Sequence, residues 1–375
     1  MTTSTPVTPI SQTARPVRWL GAPATYGLAL PAAQPSASQL YAPRGVVMND
    51  DVFITVDSGN HRVLIWHNPL PESHSSADVV LGQADFVSEG PKLLHLPTGV
   101  VVFDGMLFIA DAWHHRILIW DSLPEVNNQP PDRVLGQADV NGTEPNRGAN
   151  VTATSFYWPY GLGYVHGRFY VTDTQNRRVL YWHGLPDTDQ PPDGILGQED
   201  FETMLENRGG IIGPKSFRWP HAVAGDDTTL FIADAGNHRV LGWSPIPNGD
   251  VDANIVLGQQ DFITGQEWPY GPQNASALRF PYAISQDGSK LAIADTANNR
   301  VVIHNTLPTT GIYKPADMVV GQPDFTANGE NHWKAVTDET LCWPYGIHLH
   351  NNYLAIADSG NNRVMVWELG TDSSK

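Results

Sequence analysis

Six residues that each directly follow a recurring proline could together form a binding site. They are Arg44, Thr98, Tyr160, His221, Tyr282 and Tyr345. Hydroxyl and phenol groups donate and accept hydrogen bonds, a neutral imidazole does both through different nitrogens, and a guanidinium adds a fixed positive charge. If the fold brings these side chains to one concave opening, they would suit a polar or anionic small ligand, or the end of a peptide.

Four other residues depart from the repeated pattern and are secondary candidates. Trp113, His114 and His115 lie in the segment DAWHHR, which differs most from its counterparts such as DSGNHR and DTANNR. Adjacent histidines project differently, so we interpret His114 and His115 as surface residues rather than a metal-binding pair. At the position equivalent to His348, the other five repeats have Val, Gly, Ala or Ser. Its imidazole could form a hydrogen bond inside the fold or contact a ligand or metal.

The repeat that positions these residues has a spacing of about 60 residues. Its prolines are Pro43, Pro97, Pro159, Pro220, Pro281 and Pro344. An aspartate follows each proline 14 residues later, at Asp57, Asp111, Asp173, Asp234, Asp295 and Asp358. An arginine follows each aspartate after five residues, at Arg62, Arg116, Arg178, Arg239, Arg300 and Arg363. Five copies then carry LGQ or VGQ, with Gln83, Gln137, Gln198, Gln259 and Gln322.

Each copy contains four short runs rich in β-branched and aromatic residues, bounded by Gly, Asn, Asp and Pro. Such runs predict strands, and no segment has a sustained helical period. Four-stranded units that repeat six times bury both faces by packing radially around a channel. We therefore predict an all-β, six-bladed propeller in which the six proline-following residues ring the mouth of the channel.

The sixth copy lacks its own fourth strand, and residues 16–23, PVRWLGAP, resemble the missing LGQ strand. We expect this N-terminal segment to close the ring beside the last blade, which would leave no strand edge free. The predicted domain covers residues 16–370, with repeats starting near 43, 97, 159, 220, 281 and 344. Residues 1–15 and 371–375 are predicted to be a flexible N-terminal tail and a C-terminal tail.

The repeated aspartates and arginines are interpreted as structural, because every blade has them. An aspartate that ends a strand can accept backbone N–H groups, and the following arginine can hold it by charge-assisted hydrogen bonds. The tryptophans that close the third strands are interpreted as packing between blades.

The pattern Pro-x-Gly, then apolar-Ala-Asp-x-x-Asn-x-Arg-Val, resembles the NHL repeat over residues 43–367. The added LGQxDF elements resemble a bacterial subgroup of that family. The resemblance implies a propeller fold but several functions, since NHL-like propellers include protein-binding and RNA-binding platforms and peptidyl-hydroxyglycine lyases. Six-bladed relatives also include metal-dependent lactonases. A site of that kind would need carboxylates in the channel, and only Asp226 and Asp287 lie at positions that could supply them.

The charge and the cysteine content restrict which binding partners and which cellular compartment we expect for the chain. The chain has 39 acidic and 22 basic residues, a formal charge of −17, which repels nucleic acid and anionic membranes. Cys342 is the only cysteine, so no intrachain disulfide can form. Neither a signal-peptide pattern nor an 18-residue apolar run is seen, so we expect a soluble, cytoplasmic protein without nucleic-acid or membrane partners.

Two functions stay open on the sequence alone. The first is a non-catalytic binding or scaffold propeller that recognises a protein, peptide or small polar ligand at the loop-walled channel face. The alternative is a lyase or hydrolase with its site at the channel mouth, where His221 would be the general base and Arg44 or a tyrosine would stabilise negative charge. No cofactor is predicted, and a metal ion in the channel is left open.

Overall fold

The computed structural model of the chain describes residues 14–23, 30, 34–267 and 273–370. These residues form six antiparallel sheets, one for each sequence repeat, arranged as a six-bladed β-propeller. The all-β prediction is confirmed, and the helical segments within the described ranges are single 3₁₀ turns. No helix in those ranges is long and apolar enough to span a bilayer.

The first three blades each contain four strands, numbered from the channel outward. Blade 1 contains β2 (Gly45–Met48), β3 (Phe53–Asp57), β4 (Arg62–Trp66) and β5 (Val79–Leu81). Blade 2 contains β6 (Val100–Phe103), β7 (Met106–Asp111), β8 (Arg116–Trp120) and β9 (Arg133–Leu135). Blade 3 contains β10 (Pro159–Val165), β11 (Arg168–Asp173), β12 (Arg178–His183) and β13 (Gly194–Leu196).

Of the other three blades, blades 4 and 6 vary from this pattern. Blade 4 contains β14 (Pro220–Gly225), β15 (Leu230–Asp234), β16 (Arg239–Trp243) and β17 (Ile255–Leu257), extended by the parallel β21 (Gly311–Ile312). Blade 5 contains β18 (Pro281–Asp287), β19 (Lys290–Asp295), β20 (Arg300–His304) and β22 (Met318–Val320). Blade 6 contains β23 (Pro344–His350), β24 (Tyr353–Asp358), β25 (Arg363–Leu369) and, as its outer strand, β1 (Ala14–Gly21).

The second and third strands of every blade are joined by one 3₁₀ turn. The six turns are Ser58–Asn60, Ala112–His114, Thr174–Asn176, Ala235–Asn237, Thr296–Asn298 and Ser359–Asn361. Three further turns lie in the long loops between blades, at Pro145–Gly148, Glu206–Gly209 and Glu330–Trp333.

The hydrophobic core is divided among the spaces between neighbouring blades. Between blades 2 and 3, Phe108 and Ile117 pack with Phe169 and Trp182, and all four are almost inaccessible to solvent. Each tryptophan that ends a third strand in blades 1 to 4 also donates its indole N–H to a loop carbonyl. These tryptophans therefore pack between blades, as interpreted from the sequence.

The repeated aspartate and arginine form a buried ion pair in every blade, and blade 3 shows the arrangement. Asp173 Oδ2 accepts from Arg178 Nε at 2.8 Å and from Asn176 Nδ2 at 2.7 Å, while Oδ1 accepts from the Tyr157 N–H at 2.8 Å. The Arg178 guanidinium also donates to the Phe201 carbonyl of the LGQxDF loop at 2.7 Å. The pair thus joins the turn, the outer loop and the segment before the inner strand.

The ring closes as predicted, because the N-terminal strand pairs antiparallel with β25 from Ala14↔Leu369 to Gly21↔Arg363. Gly21 has φ of 91°, close to the 88° of Gly82 in the first LGQ element, so the WLG segment does take the place of LGQ. The strand begins at Ala14, two residues before the predicted domain boundary. Residues 1–13 and 371–375 lie outside the described residues, so the two predicted tails stay predictions.

Ring closure predicts a clear difference between two substitutions in the same strand. Leu20 is 1% exposed and packs on blades 6 and 1, so Leu20→Ala should lower the free energy of unfolding by about 2–5 kcal/mol. Arg15 is 72% exposed, so Arg15→Ala should cost less than about 1 kcal/mol. Urea denaturation of both variants measures this, and equal midpoints would show that the N-terminal strand is not part of the cooperative fold.

The buried ion pair predicts a second difference, between two substitutions of the same type. Asp173→Asn removes the charge that Arg178 faces in a solvent-free site, so it should lower the free energy of unfolding by about 3–5 kcal/mol. Asp250→Asn breaks the half-exposed pair with Arg208 and should cost about 1 kcal/mol or less. Chemical denaturation of the two variants tests the prediction, which fails if the first variant is as stable as the second.

Candidate functional site

The six proline-following residues meet at one end of the central channel. Arg44, Thr98, Tyr160, His221, Tyr282 and Tyr345 all line a single cavity of about 80 Å³. We call this space the mouth cavity. The inner strands approach closely here, because a Cβ on Gly161 would lie 2.1 Å from the His221 carbonyl oxygen. Glycine after the rim residue therefore lets neighbouring rim side chains touch.

The aromatic rings of blades 3 to 6 pack against one another across the mouth. The His221 ring centroid lies 4.3 Å from that of Tyr160 and 4.4 Å from that of Tyr282. Tyr345 continues the series at 4.9 Å from Tyr282, and the Arg44 guanidinium lies 4.9 Å above the Tyr345 ring. The result is a closely packed layer in which a cation rests on an aromatic face.

Arg44 gives the mouth a positive charge without a carboxylate partner. Among the described residues that line the mouth cavity there is no Asp or Glu. Burial raises the pKa of Tyr160, against the opposing effect of Arg44, and burial raises the pKa of Tyr282 to about 12. The phenols therefore stay protonated at neutral pH and present O–H donors beside the guanidinium.

One polar atom at the base of this layer, Nε2 of His221, is buried without a hydrogen-bond partner among the described residues, and the His221 side chain is 1% exposed. The buried Tyr160 phenol, 4% exposed, lies beside the Arg44 guanidinium. Burial lowers the pKa of His221 to about 3, so the imidazole is neutral. Each unpaired buried polar atom costs about 1–3 kcal/mol, which a bound ligand group could recover.

Thr98 contributes less to the mouth than the sequence suggested. Its side chain is 1% exposed, and its hydroxyl donates to the Tyr160 carbonyl at 2.8 Å. Thr98 therefore joins blades 2 and 3, and its hydroxyl hydrogen is not free for a ligand.

Below the mouth, six aliphatic side chains, one from each inner strand, separate it from a second cavity. They are Val46, Val100, Leu162, Val223, Ile284 and Ile347, and they line both spaces. The second cavity has a volume of about 230 Å³ and contains His348. His348 is therefore remote from the rim residues and does not converge with them.

His348 occupies a structural position in the second cavity. Its Nδ1 lies 3.5 Å from the Met48 backbone nitrogen, so it faces the first blade across the closure. Burial lowers its pKa to about 4, which keeps it neutral. Two residues on, His350 Nε2 lies 2.8 Å from Asp50 Oδ1, and this pair bridges the same two blades.

The histidines of the DAWHHR segment also have local partners. His114 Nδ1 lies 2.9 Å from Asp111 Oδ2, in the place that an asparagine fills in the other blades. His115 Nδ1 accepts from the Trp158 N–H at 3.0 Å. Trp113 is 49% exposed beside His95. His114 is thus held within the turn of blade 2, His115 bonds to the segment before blade 3, and Trp113 is exposed.

The long loops fold onto the turns on the mouth side through pairs of asparagines. Asn176, Asn237 and Asn361 donate from Nδ2 to the side-chain oxygens of Asn146, Asn207 and Asn331 at 2.8–2.9 Å. The loops therefore form walls beside the mouth at blades 3, 4 and 6.

Other candidate groups have local structural contacts. Cys342 is buried, and burial raises the pKa of its thiol to about 12. Asp226 Oδ1 accepts backbone N–H groups from Thr228 and Thr229, as a strand-end turn requires. Within the described ranges no three His, Cys, Asp or Glu side chains are arranged to hold a metal ion.

Sequence reasoning missed Trp219, whose carbonyl oxygen accepts from His221 Nδ1 at 2.9 Å and so orients the ring. A backbone contact of this kind leaves no trace in residue types. The sequence did contain one sign that this blade differs. The residue directly before the repeated arginine is His or Asn in the other five blades, whereas here it is Arg177.

Comparison with known proteins gives a family relative and structural neighbours. No protein-family model matches the chain. NHL repeat-containing protein 2 from Bos taurus is 23% identical over 350 residues, which are 85% of this chain and 45% of that protein. The chain thus spans less than half the length of this relative. The bacterial origin indicated by the LGQxDF elements stays a prediction.

Two solved structures are similar in fold. A protein of unknown function from Bacteroides thetaiotaomicron has a TM-score of 0.50 and 10% identity, covering 96% of this chain and 76% of its own. Virginiamycin B lyase from Staphylococcus aureus has a TM-score of 0.45 and 13% identity, covering 89% of this chain and 97% of its own.

The six blades make the chain a six-bladed β-propeller, and its sequence is similar to that of an NHL repeat-containing protein.

Proposed function

We propose that this propeller is a non-catalytic binding protein that recognises a carboxylate at the channel mouth, on a small polar ligand or at the end of a peptide or protein. The observation that carries the proposal is that Arg44, with no carboxylate among the described lining residues, shares one concave site with the buried, unpartnered Nε2 of His221. A guanidinium with neighbouring phenol donors matches the acceptor oxygens of a carboxylate.

The state of His221 argues against the alternative of a lyase or hydrolase at the same mouth. A general base works best when its pKa lies near the working pH, and burial holds the pKa of His221 at about 3. Such an imidazole is a weak proton acceptor but a good hydrogen-bond acceptor. The low pKa of His221 therefore supports a role in recognition rather than in proton transfer.

The net charge of the chain determines which partners we expect it to repel or attract. The chain carries a formal charge of −17, so a strongly anionic polymer is repelled at long range, while a single carboxylate meets the local field of Arg44. The predicted absence of nucleic-acid and membrane partners, the cytoplasmic location and the open question of a channel metal remain predictions.

A titration with a short peptide tests the proposal. Acetyl-Gly-Gly-Gly with a free C-terminal carboxylate should perturb the NMR signals of the mouth residues, and its C-terminal amide should bind at least about tenfold more weakly. Arg44→Gln should remove the preference for the free acid. Arg18→Gln is the matched control, because Arg18 lies on the outer strand and pairs with the exposed Glu72.

Two results would contradict the proposal. One is equal binding of the acid and the amide. The other is an acid preference that survives in Arg44→Gln and is lost in Arg18→Gln, because the carboxylate would then bind elsewhere.

A further inference from the structure

Five of the six junctions between blades share a hydrogen bond whose acceptor is the residue directly before the repeated arginine. Its side chain accepts from the backbone N–H of the residue before the next blade's proline, at 2.9–3.2 Å. The acceptors are His61, His115, His238, Asn299 and Asn362, and the donors, in the same order, are Leu96, Trp158, Phe280, Trp343 and Ala42. We call this contact the junction bond.

The junction bond accompanies an uncommon backbone conformation. All five donor residues have a left-handed backbone, with φ from 44° for Leu96 to 56° for Trp158. This region is unfavourable for residues with a side chain, so it persists where surrounding contacts stabilise it. The junction bond is one such contact, since it satisfies the N–H that the left-handed turn directs toward the neighbouring blade.

The junction between blades 3 and 4 differs because Arg177 stands in the acceptor position. A guanidinium has donors but no acceptor, so it cannot form the junction bond. Trp219, the residue before Pro220, is not among the left-handed residues, and its N–H goes to Asp234 Oδ1 at 3.2 Å. Its carbonyl oxygen then accepts from the Ala235 N–H at 2.9 Å as well as from His221.

This altered backbone determines which nitrogen of His221 carries the proton. A carbonyl oxygen can only accept, so Nδ1 must carry the hydrogen, and Nε2 is then a bare acceptor. Nε2 is the atom that is buried without a partner among the described residues. The other side chains of the mouth, Arg44 and the tyrosines, supply donors, so His221 adds the complementary acceptor.

We infer that Arg177 is a positioning residue that holds His221 as the hydrogen-bond acceptor of the mouth, and that the mouth selects a carboxylate whose neighbouring amide N–H can reach His221, as at the C-terminus of a peptide. The inference rests on the proposed function, because the carboxylate itself is bound by Arg44. The side chains of Arg44, Tyr282 and Tyr345 are partly exposed and line the mouth, so the inference requires them to move aside when a ligand reaches His221 Nε2.

The first experiment examines Arg177 without any ligand. In the ¹⁵N-histidine spectrum of the full chain, His221 should appear as the Nδ1–H tautomer. Arg177→Asn supplies the acceptor found at Asn299, so Trp219 should turn to the left-handed form and His221 should lose its fixed tautomer. Asn299→His exchanges one acceptor for another at a different junction and should leave the His221 signals unchanged.

An unchanged His221 tautomer in folded Arg177→Asn would overturn the role of Arg177. If that variant does not fold, Arg177→His gives the same test with the acceptor found in blades 1, 2 and 4, and an unchanged tautomer there has the same meaning.

The second experiment examines the N–H that His221 should accept. Acetyl-Gly-Gly-Gly is compared with the analogue in which the last amide is an ester, which removes one N–H and retains the carboxylate. The ester should bind about tenfold more weakly to the native chain, because His221 stays unpaired. In Arg177→Asn the two should bind within about twofold of each other, since a mobile imidazole no longer discriminates between them.

These outcomes distinguish the selection of an N–H by His221 from the carboxylate binding of the proposed function. Equal binding of amide and ester to the native chain overturns the selection by His221 and leaves the carboxylate site intact. Binding of neither compound contradicts the proposed function as well.

Discussion

The buried aspartate–arginine pair is the constraint on which the rest of this propeller depends. A buried pair is tolerated only when almost every donor and acceptor is satisfied, because the loss of hydration is large. Asp173 and Arg178 meet that requirement by binding the turn, the LGQxDF loop and the segment before the inner strand. Since these segments cannot move independently, the pair also fixes where the proline-following residue enters the channel. The six rim positions are thus placed by contacts of residues that do not themselves line the mouth cavity.

This dependence explains why the sequence predicted so much of the fold. Each blade repeats the same local physics, so the strands, the turns and the closing strand at Gly21 could be read from spacing and residue type. The same approach placed the rim residues, because their position follows from the repeated proline. It did not reveal the hydrogen bonds of Thr98 and His114, whose side chains contact a neighbouring carbonyl and Asp111. Contacts between blades link residues far apart in the chain, and residue types alone do not specify them.

The mouth is asymmetric although the scaffold is nearly sixfold. Blades 3 to 6 contribute closely packed rings, while blade 2 contributes a hydroxyl that is already bonded and blade 1 contributes the Arg44 cation. A cation above an aromatic face retains its donors for a ligand, whereas one paired with a carboxylate does not. Because the blades contribute different groups, the mouth suits one small group bound to one side of the channel axis better than a ligand centred on that axis.

The energetics of the mouth residues support the same view. His221 Nε2 lacks a partner in the described part of the chain, at a cost of about 1–3 kcal/mol. A leucine would fill much of the same space without that cost. The blade 3–4 junction adds a backbone conformation that departs from the other five, and its effect is to orient the unpartnered His221. The junction between blades 3 and 4 departs from the repeat pattern at the place where His221 Nε2 is buried without a partner in the described part of the chain. Recognition of a ligand accounts for both features.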